Sequence, residues 1–192
     1  MITNLAQGVR AFTSNAFLVT GERTVVVDAG NEFDVVTAVR EHVDDLDALV
    51  LTHTHPDHVG NRDAVVDAFD VDVWGFDPEH PAVDHAIADD ERVTLGDDDY
   101  RALHTPGHKD DHLCFHAADP GILFAGDLVF ANGGFGRTDL AEGDRAQLID
   151  SIERLLNVVG EDLATMHTGH GPSVVTNPAQ DIELAAQAAR MG

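Results

Sequence analysis

The sequence predicts an α/β protein in which two sheets are covered by outer helices. Three observations point there. Short apolar runs, rich in β-branched residues and bounded by glycine, read as buried strands. Segments with apolar residues three and four apart read as amphipathic helices lying between them. Strands fill the first half in meander-like runs, and one helix ends each half.

Taken in order, "NAFLVTG" and "TVVVDAG" form a hairpin of buried strands. Residues 32–43, "EFDVVTAVREHV", place Phe33, Val36, Val39 and Val43 on one helical face. "ALVLTH" is the next buried strand, and "DHVGNRDAVVDAF" reads as a helix beginning near Asp57. "DVDVWGF", "ERVTL", "YRALH", "HLCFHA" and "ILFAGDLVF" read as further strands. The clearest helix is "DRAQLIDSIERLLNVV", with Leu148, Ile152, Leu155 and Leu156 on one side. "ATMHTGHG" is a strand and loop, and "PAQDIELAAQAARM" closes as a helix with Pro178 near its first turn. With 192 residues and no low-complexity linker, the expectation is a single domain over 1–192.

The formal net charge is -24, from 35 acidic and 11 basic residues, of which only Lys109 is lysine. Such a field repels phosphate backbones and excludes a general nucleic-acid binder. Abundant aspartate with almost no lysine resembles the proteins of extreme halophiles, where a short Debye length relieves self-repulsion. The melting temperature should therefore rise with molar KCl; an unchanged value would exclude this halophilic reading. A single cysteine, Cys114, rules out an internal disulfide and a cysteine-based zinc site, and reads as a small buried residue. The first residues carry no basic-then-apolar signal pattern, and no apolar run approaches membrane-spanning length, so a cytoplasmic protein without a membrane partner is expected.

"LVLTHTHPDHVG" carries the chemistry. In an extended loop His53 and His55 point the same way, because side chains alternate with period two. Asp57 and His58 follow at the loop-to-helix junction, turned toward a neighbouring position, so each half of "HTHPDH" can serve a different cation. Imidazoles this dense behind a buried strand point to metal ligation. Downstream, "TPGH" brings His108 through a Pro-Gly turn, "FAGD" delivers Asp127 from an apolar strand, and "TGHG" sets His170 between glycines. A cation would offset the cost of burying the Asp127 carboxylate.

Together, His53-x-His55-x-Asp57-His58, "TPGH", "AGD" and "TGHG" resemble the metallo-β-lactamase superfamily over nearly the whole chain. The resemblance implies an αββα sandwich, two mixed sheets flanked by helices, with the metals at one edge. It assigns His53, His55 and His108 to one metal, Asp57, His58 and His170 to a second, and Asp127 to both. Two divalent ions with N and O ligands favour zinc, with iron the alternative, and a shared hydroxide near neutral pH is the expected nucleophile. Asp57 would also orient that nucleophile as a catalytic group.

The run "GRTD" followed by a helix with "SIERL" is similar to compact glyoxalase II-type thioesterases (hydroxyacylglutathione hydrolases), which implies a small-molecule thioester of the S-lactoylglutathione type as substrate. Longer relatives have a separate C-terminal helical domain that helps bind glutathione. The sequence given stops shortly after "TGHG", so that domain is expected to be missing, which leaves the thiol carrier open. Arg137 falls where such enzymes place a basic residue near the carrier; the two readings are carboxylate anchoring and a salt bridge to Asp139 or Asp144. Lys109 and Arg145 are the other cations available for an anionic substrate. The same "GRTD" run occurs in persulfide dioxygenases, which hold a single iron at positions matching His53, His108 and Asp127. Lactonases share the fold, and a non-catalytic metal-binding protein is a third class, though a structural zinc needs only four ligands. Of the other histidines, His104 and His167 could hydrogen-bond to ligands or merely pack, His112 and His116 are expected to face away from the core, and His42, His80 and His85 to lie in surface stretches.

Overall fold

Alternation along the short strands sorts their side chains onto two faces, and that sorting builds the layers. A computed structural model describes residues 1–160 and 162–191. Its first sheet runs β1 (Ile2–Asn4), β2 (Phe17–Val19), β3 (Val25–Val27), β4 (Ala48–Val50), β5 (Val73–Gly75) and β6 (His85–Ala86) in that spatial order. The pairings from β1 to β3 are antiparallel and those from β3 to β6 parallel. Leu18, Val26 and Leu49 face outward, against Val35 and Val39 of α1 (Val35–Arg40) and Val65 and Phe69 of α3 (Arg62–Phe69). Their neighbours Phe17, Val25, Val27 and Val50 face inward and meet the second sheet.

That second sheet is an antiparallel meander of β7 (Arg92–Leu95), β8 (Asp98–His104), β9 (Leu113–Ala117) and β10 (Ile122–Gly126), with β13 (Thr165–Thr168) added parallel to β10. Tyr100, Ala102, Leu113, Phe115 and Phe124 point into the space between the sheets. Leu103, Cys114, Leu123 and Ala125 point the other way, against α4 (Arg145–Val159) and α5 (Pro178–Met191). The result is an αββα sandwich. A small hairpin of β11 (Val129–Phe130) and β12 (Gly134–Phe135) leaves the second sheet beyond β10.

Two helices differ from the expected spans. The first begins only at Val35, because the Asp34 carboxylate accepts the Thr37 amide at 3.0 Å and caps it there. The helix expected from Asp57 onward splits into α2 (Pro56–Val59) and α3. Tertiary bonds replace the turn that would have joined them: the Asn61 amide donates to Gly30 O at 3.0 Å, and Asp57 O accepts from Ser14 at 3.1 Å. "ILFAGDLVF" likewise breaks after Gly126, whose φ of 49° turns Asp127 out of the ladder. Among the described residues no helix is long and apolar enough to cross a membrane.

Candidate metal centre

All the loops that bear ligand-type side chains leave the sandwich at one end. Beyond β4, the Thr52 amide and hydroxyl both donate to the Asp28 carboxylate, at 2.8 and 2.7 Å, which pins the exit of the strand. Extended backbone then carries His53 and His55, with Nε2 of the first 3.1 Å from Nδ1 of the second. His55 stands immediately before α2, Pro56 takes the first helical position, and Asp57 and His58 occupy the first turn.

The second sheet supplies the rest. Gly107 has a φ of 126°, and a Cβ there would collide with the Leu148 backbone, so only glycine lets this turn lie on α4. The Ser151 hydroxyl donates to Pro106 O at 2.7 Å and holds the turn down. His108 Nδ1 donates to the Arg137 carbonyl at 2.8 Å, which leaves Nε2 facing the centre, 3.5 Å from Asp127 Oδ2. Asp127 follows β10, and His170 follows β13. A Cβ at Gly169 would strike Asp127 Oδ1, so the loop can close over the carboxylate only because that side chain is missing.

Three overlapping groups result, each with its ligand atoms within 4.8 Å of one another: His53, His55 and His108; His53, His58 and Asp127; and Asp57, His58 and His170. His170 Nε2 lies 3.0 Å from Asp57 Oδ2 and 3.4 Å from Asp127 Oδ2, and His58 Nε2 lies 3.4 Å from Asp127 Oδ1. His58 Nε2, His108 Nε2 and Asp127 Oδ1 are buried and have no hydrogen-bond partner. Orphaned polar atoms are costly in an interior. These converge on shared points and offer nitrogen and carboxylate oxygen, so the residues present fit two divalent cations.

Protonation divides the set. Burial and the repulsion of neighbouring imidazoles hold His53 well below its ordinary pKa and bring His55 down to about 4. Burial also lowers His108, against the pull of Asp127. In His58 burial is outweighed by Asp28, whose carboxylate lies 2.8 Å from Nδ1, and by Asp127, which together raise it to about 10. His170 is likewise raised to about 9, its hydrogen bonds to Asp127 and Asp57 overcoming burial.

The sequence profile of the metallo-β-lactamase superfamily matches residues 9–170. The chain belongs to this superfamily. It is 32% identical over 175 residues to a hydroxyacylglutathione hydrolase of Chromohalobacter salexigens, spanning 85% of this chain and 67% of the relative. Identity to the hydroxyacylglutathione hydrolase GloC of Haemophilus influenzae is 31% over 188 residues, spanning 85% and 88%. Among solved structures it is similar to the BLEG-1 B3 metallo-β-lactamase (TM-score 0.77, 27% identity, covering 93% and 98%) and to TTHA1623 in a di-iron-bound form (TM-score 0.76, 28% identity, covering 98% and 96%).

In this metallo-β-lactamase superfamily member a cavity of about 530 Å³ opens in front of the centre, bordered by His55, Asp57, His108, Asp127 and His170. Arg137 also lines it, but its guanidinium grips Asp139 with two bonds of 2.7 and 2.8 Å. The side chain is 62% exposed, so it both pairs with Asp139 and borders the cavity.

Two histidines expected to face away from the core are buried instead. His112 precedes β9 and turns inward: Nε2 accepts the Asp127 amide at 3.0 Å, so Nδ1 carries the proton and donates to Thr105 Oγ1 at 2.8 Å. Burial keeps it neutral. His116 lies within β9 and is 5% exposed. His104 stacks on Phe76 and pairs with Asp110 O, and His167 packs between Phe17 and Phe124; neither touches a ligand atom. Cys114 is buried, and burial pushes its thiol up to about 12. The reading of the sequence missed Asp28 and His112. The signal for Asp28 was a carboxylate set directly behind "VVV".

Proposed function

We propose that the protein is a metal-dependent hydrolase that cleaves acyl thioesters, with esters of the S-lactoylglutathione type as the reference substrate. The observation that carries this reading is the position of Asp127, whose two oxygens face His58 on one side and His108 and His170 on the other. His53, His55 and His108 would hold one divalent cation, Asp57, His58 and His170 a second, and Asp127 both. Ions bound there would supply Lewis acidity, polarising a carbonyl and making water nucleophilic near neutral pH.

The chain's own groups do the positioning. The Arg137 carbonyl fixes His108 as the Nδ1–H tautomer, and Asp28 does the same for His58, so both present Nε2 to the centre. The Asp57 carboxylate borders the cavity and lies 3.0 Å from His170, where it would both hold the second ion and orient an attacking water. No serine or cysteine nucleophile is needed.

The names of relatives at about 30% identity support the thioesterase reading, and the assembled Asp57, His58 and His170 group favours two ions over the single iron of a persulfide dioxygenase. Zinc is the proposed metal, with iron the competitor. Elemental analysis of natively purified protein together with a thioester assay tests this. About two zinc ions per chain with thioester cleavage is expected. About one iron with oxygen consumption on a persulfide would replace the hydrolase by the dioxygenase.

A further inference from the structure

Phe12, Phe130, Phe135 and Leu140 wall the cavity in front of the metal-type groups. In so acidic a chain, large apolar side chains left in water call for an explanation. Phe12 is 76% exposed, and its ring lies 6.2 Å from that of His170, roughly stacked. Phe130 meets the same imidazole edge-on at 6.3 Å. Phe135 is backed by the Arg145 guanidinium 4.4 Å from its ring centre, and Leu140 completes the rim.

The cations that could receive a carboxylate are engaged elsewhere. Arg137 is held by Asp139. Lys109 is buried and faces Asp110, Asp111 and Glu142 at 3.1, 3.6 and 3.6 Å. Arg145 donates to Ala189 O at 2.8 Å while it stacks on Phe135. Arg10, close to Phe12 in the chain, does not line the cavity. A carrier bearing carboxylates would therefore meet an apolar wall, and the one arginine among the described residues lining it, Arg137, would have to exchange Asp139 for the ligand.

Resting on the thioesterase reading, we infer that the thiol carrier of the substrate is uncharged and apolar, and that Phe12 and Leu140 select it over glutathione. Two unreactive ligands sharing one S-benzyl group isolate the carrier: neutral N-acetyl-S-benzylcysteamine and anionic S-benzylglutathione. Calorimetry on the metal-loaded protein in molar KCl should show the neutral ligand binding at least about tenfold tighter. The double variant Phe12→Ser, Leu140→Ser should erase most of that preference, and since both side chains reach the surface the fold should persist, as circular dichroism would verify. Equal or tighter binding of S-benzylglutathione overturns the inference, as does a neutral preference that survives the double variant. Hydrolysis is read separately, on S-lactoylglutathione and on a phenylacetyl ester of N-acetylcysteamine. If the metal-loaded protein cleaves neither, the thioesterase reading falls by itself; if it cleaves the glutathione ester better, the carrier assignment falls and the thioesterase reading stands.

Discussion

The two halves of the centre solve the problem of gathering ligands in opposite ways. Around His53, His55 and His108 the imidazoles are crowded and largely dry, so each is pushed toward its neutral, ligand-ready form. Around Asp57, His58 and His170 the imidazoles are interleaved with carboxylates and hold their protons. One pocket is kept neutral by burial; the other is closed on itself by ion pairs. The difference teaches that a cation entering the first meets imidazoles already neutral and has only the His53–His55 contact to break, whereas one entering the second must evict protons from groups already satisfied by Asp28, Asp57 and Asp127.

Asp127 touches both halves, so removing it gives the largest effect. For Asp127→Ala, metal content and activity should fall together, with kcat down on the order of 10³-fold or more. An active variant with full metal content would show that the carboxylate does not join the two pockets.

His170→Ala should divide them. The three-histidine pocket stays intact, so roughly one metal should be lost and one kept, with a large drop in kcat. Elemental analysis and steady-state rates decide it; unchanged stoichiometry would place His170 outside the second pocket.

Proton release sharpens the same contrast. Since His58 and His170 are raised to about 10 and about 9, both are protonated at neutral pH before an ion enters. Affinity of the second pocket should therefore climb as pH rises from 6 toward about 9. The first pocket should change far less over that range, because burial holds His53 and His55 well below it and lowers His108. Calorimetry in buffers of different ionisation enthalpy should count about two protons released with the second equivalent of metal and almost none with the first. Equal release by both would erase the distinction. In the metal-free protein the sign follows from the raised values: stability that these two groups contribute is complete below about 6.5, the ordinary histidine value, and is lost as pH climbs through 9 to 10.

The smallest effect belongs to Asp28→Asn. It keeps a hydrogen-bond acceptor for His58 but removes the charge, so affinity of the second pocket should weaken by about 10- to 100-fold while the first is spared. Competition with a metal-sensitive dye would read this, and equal weakening of both pockets would assign Asp28 to the strand exit alone.

Much of this was legible in the sequence. Strand order could not be read, but the layers could, because each run of three or four apolar residues had to be covered on both faces. The ligand-type residues stood out because they sit at strand ends, a position where polar clusters have few structural uses. Asp28 and His112 were hidden because their work is done across the fold. Asp28 is brought to His58 by the parallel pairing of β3 with β4, and His112 reaches the Asp127 amide only when the turn before β9 folds inward. Period-two alternation extrapolated from Leu113 and Phe115 fails for His112, since that residue lies before the strand starts. Asp139 and Asp144 were equal candidates to pair with Arg137, and the fold of the loop brings Asp139 to it.

His53, His55, Asp57 and His58 come from the first sheet, and His108, Asp127 and His170 from the second. Ions held among them would act as a clasp on the open end of the sandwich, where polar groups from both layers meet in place of interdigitated hydrocarbon. A ligand at one hundred times its dissociation constant stabilises the folded state by about 2.7 kcal/mol, and here that sum would fall on a single seam. Chelation would then do more than stop turnover: it would let the layers part at that mouth, so that proteases, which are blind to catalysis, could tell the loaded from the stripped molecule.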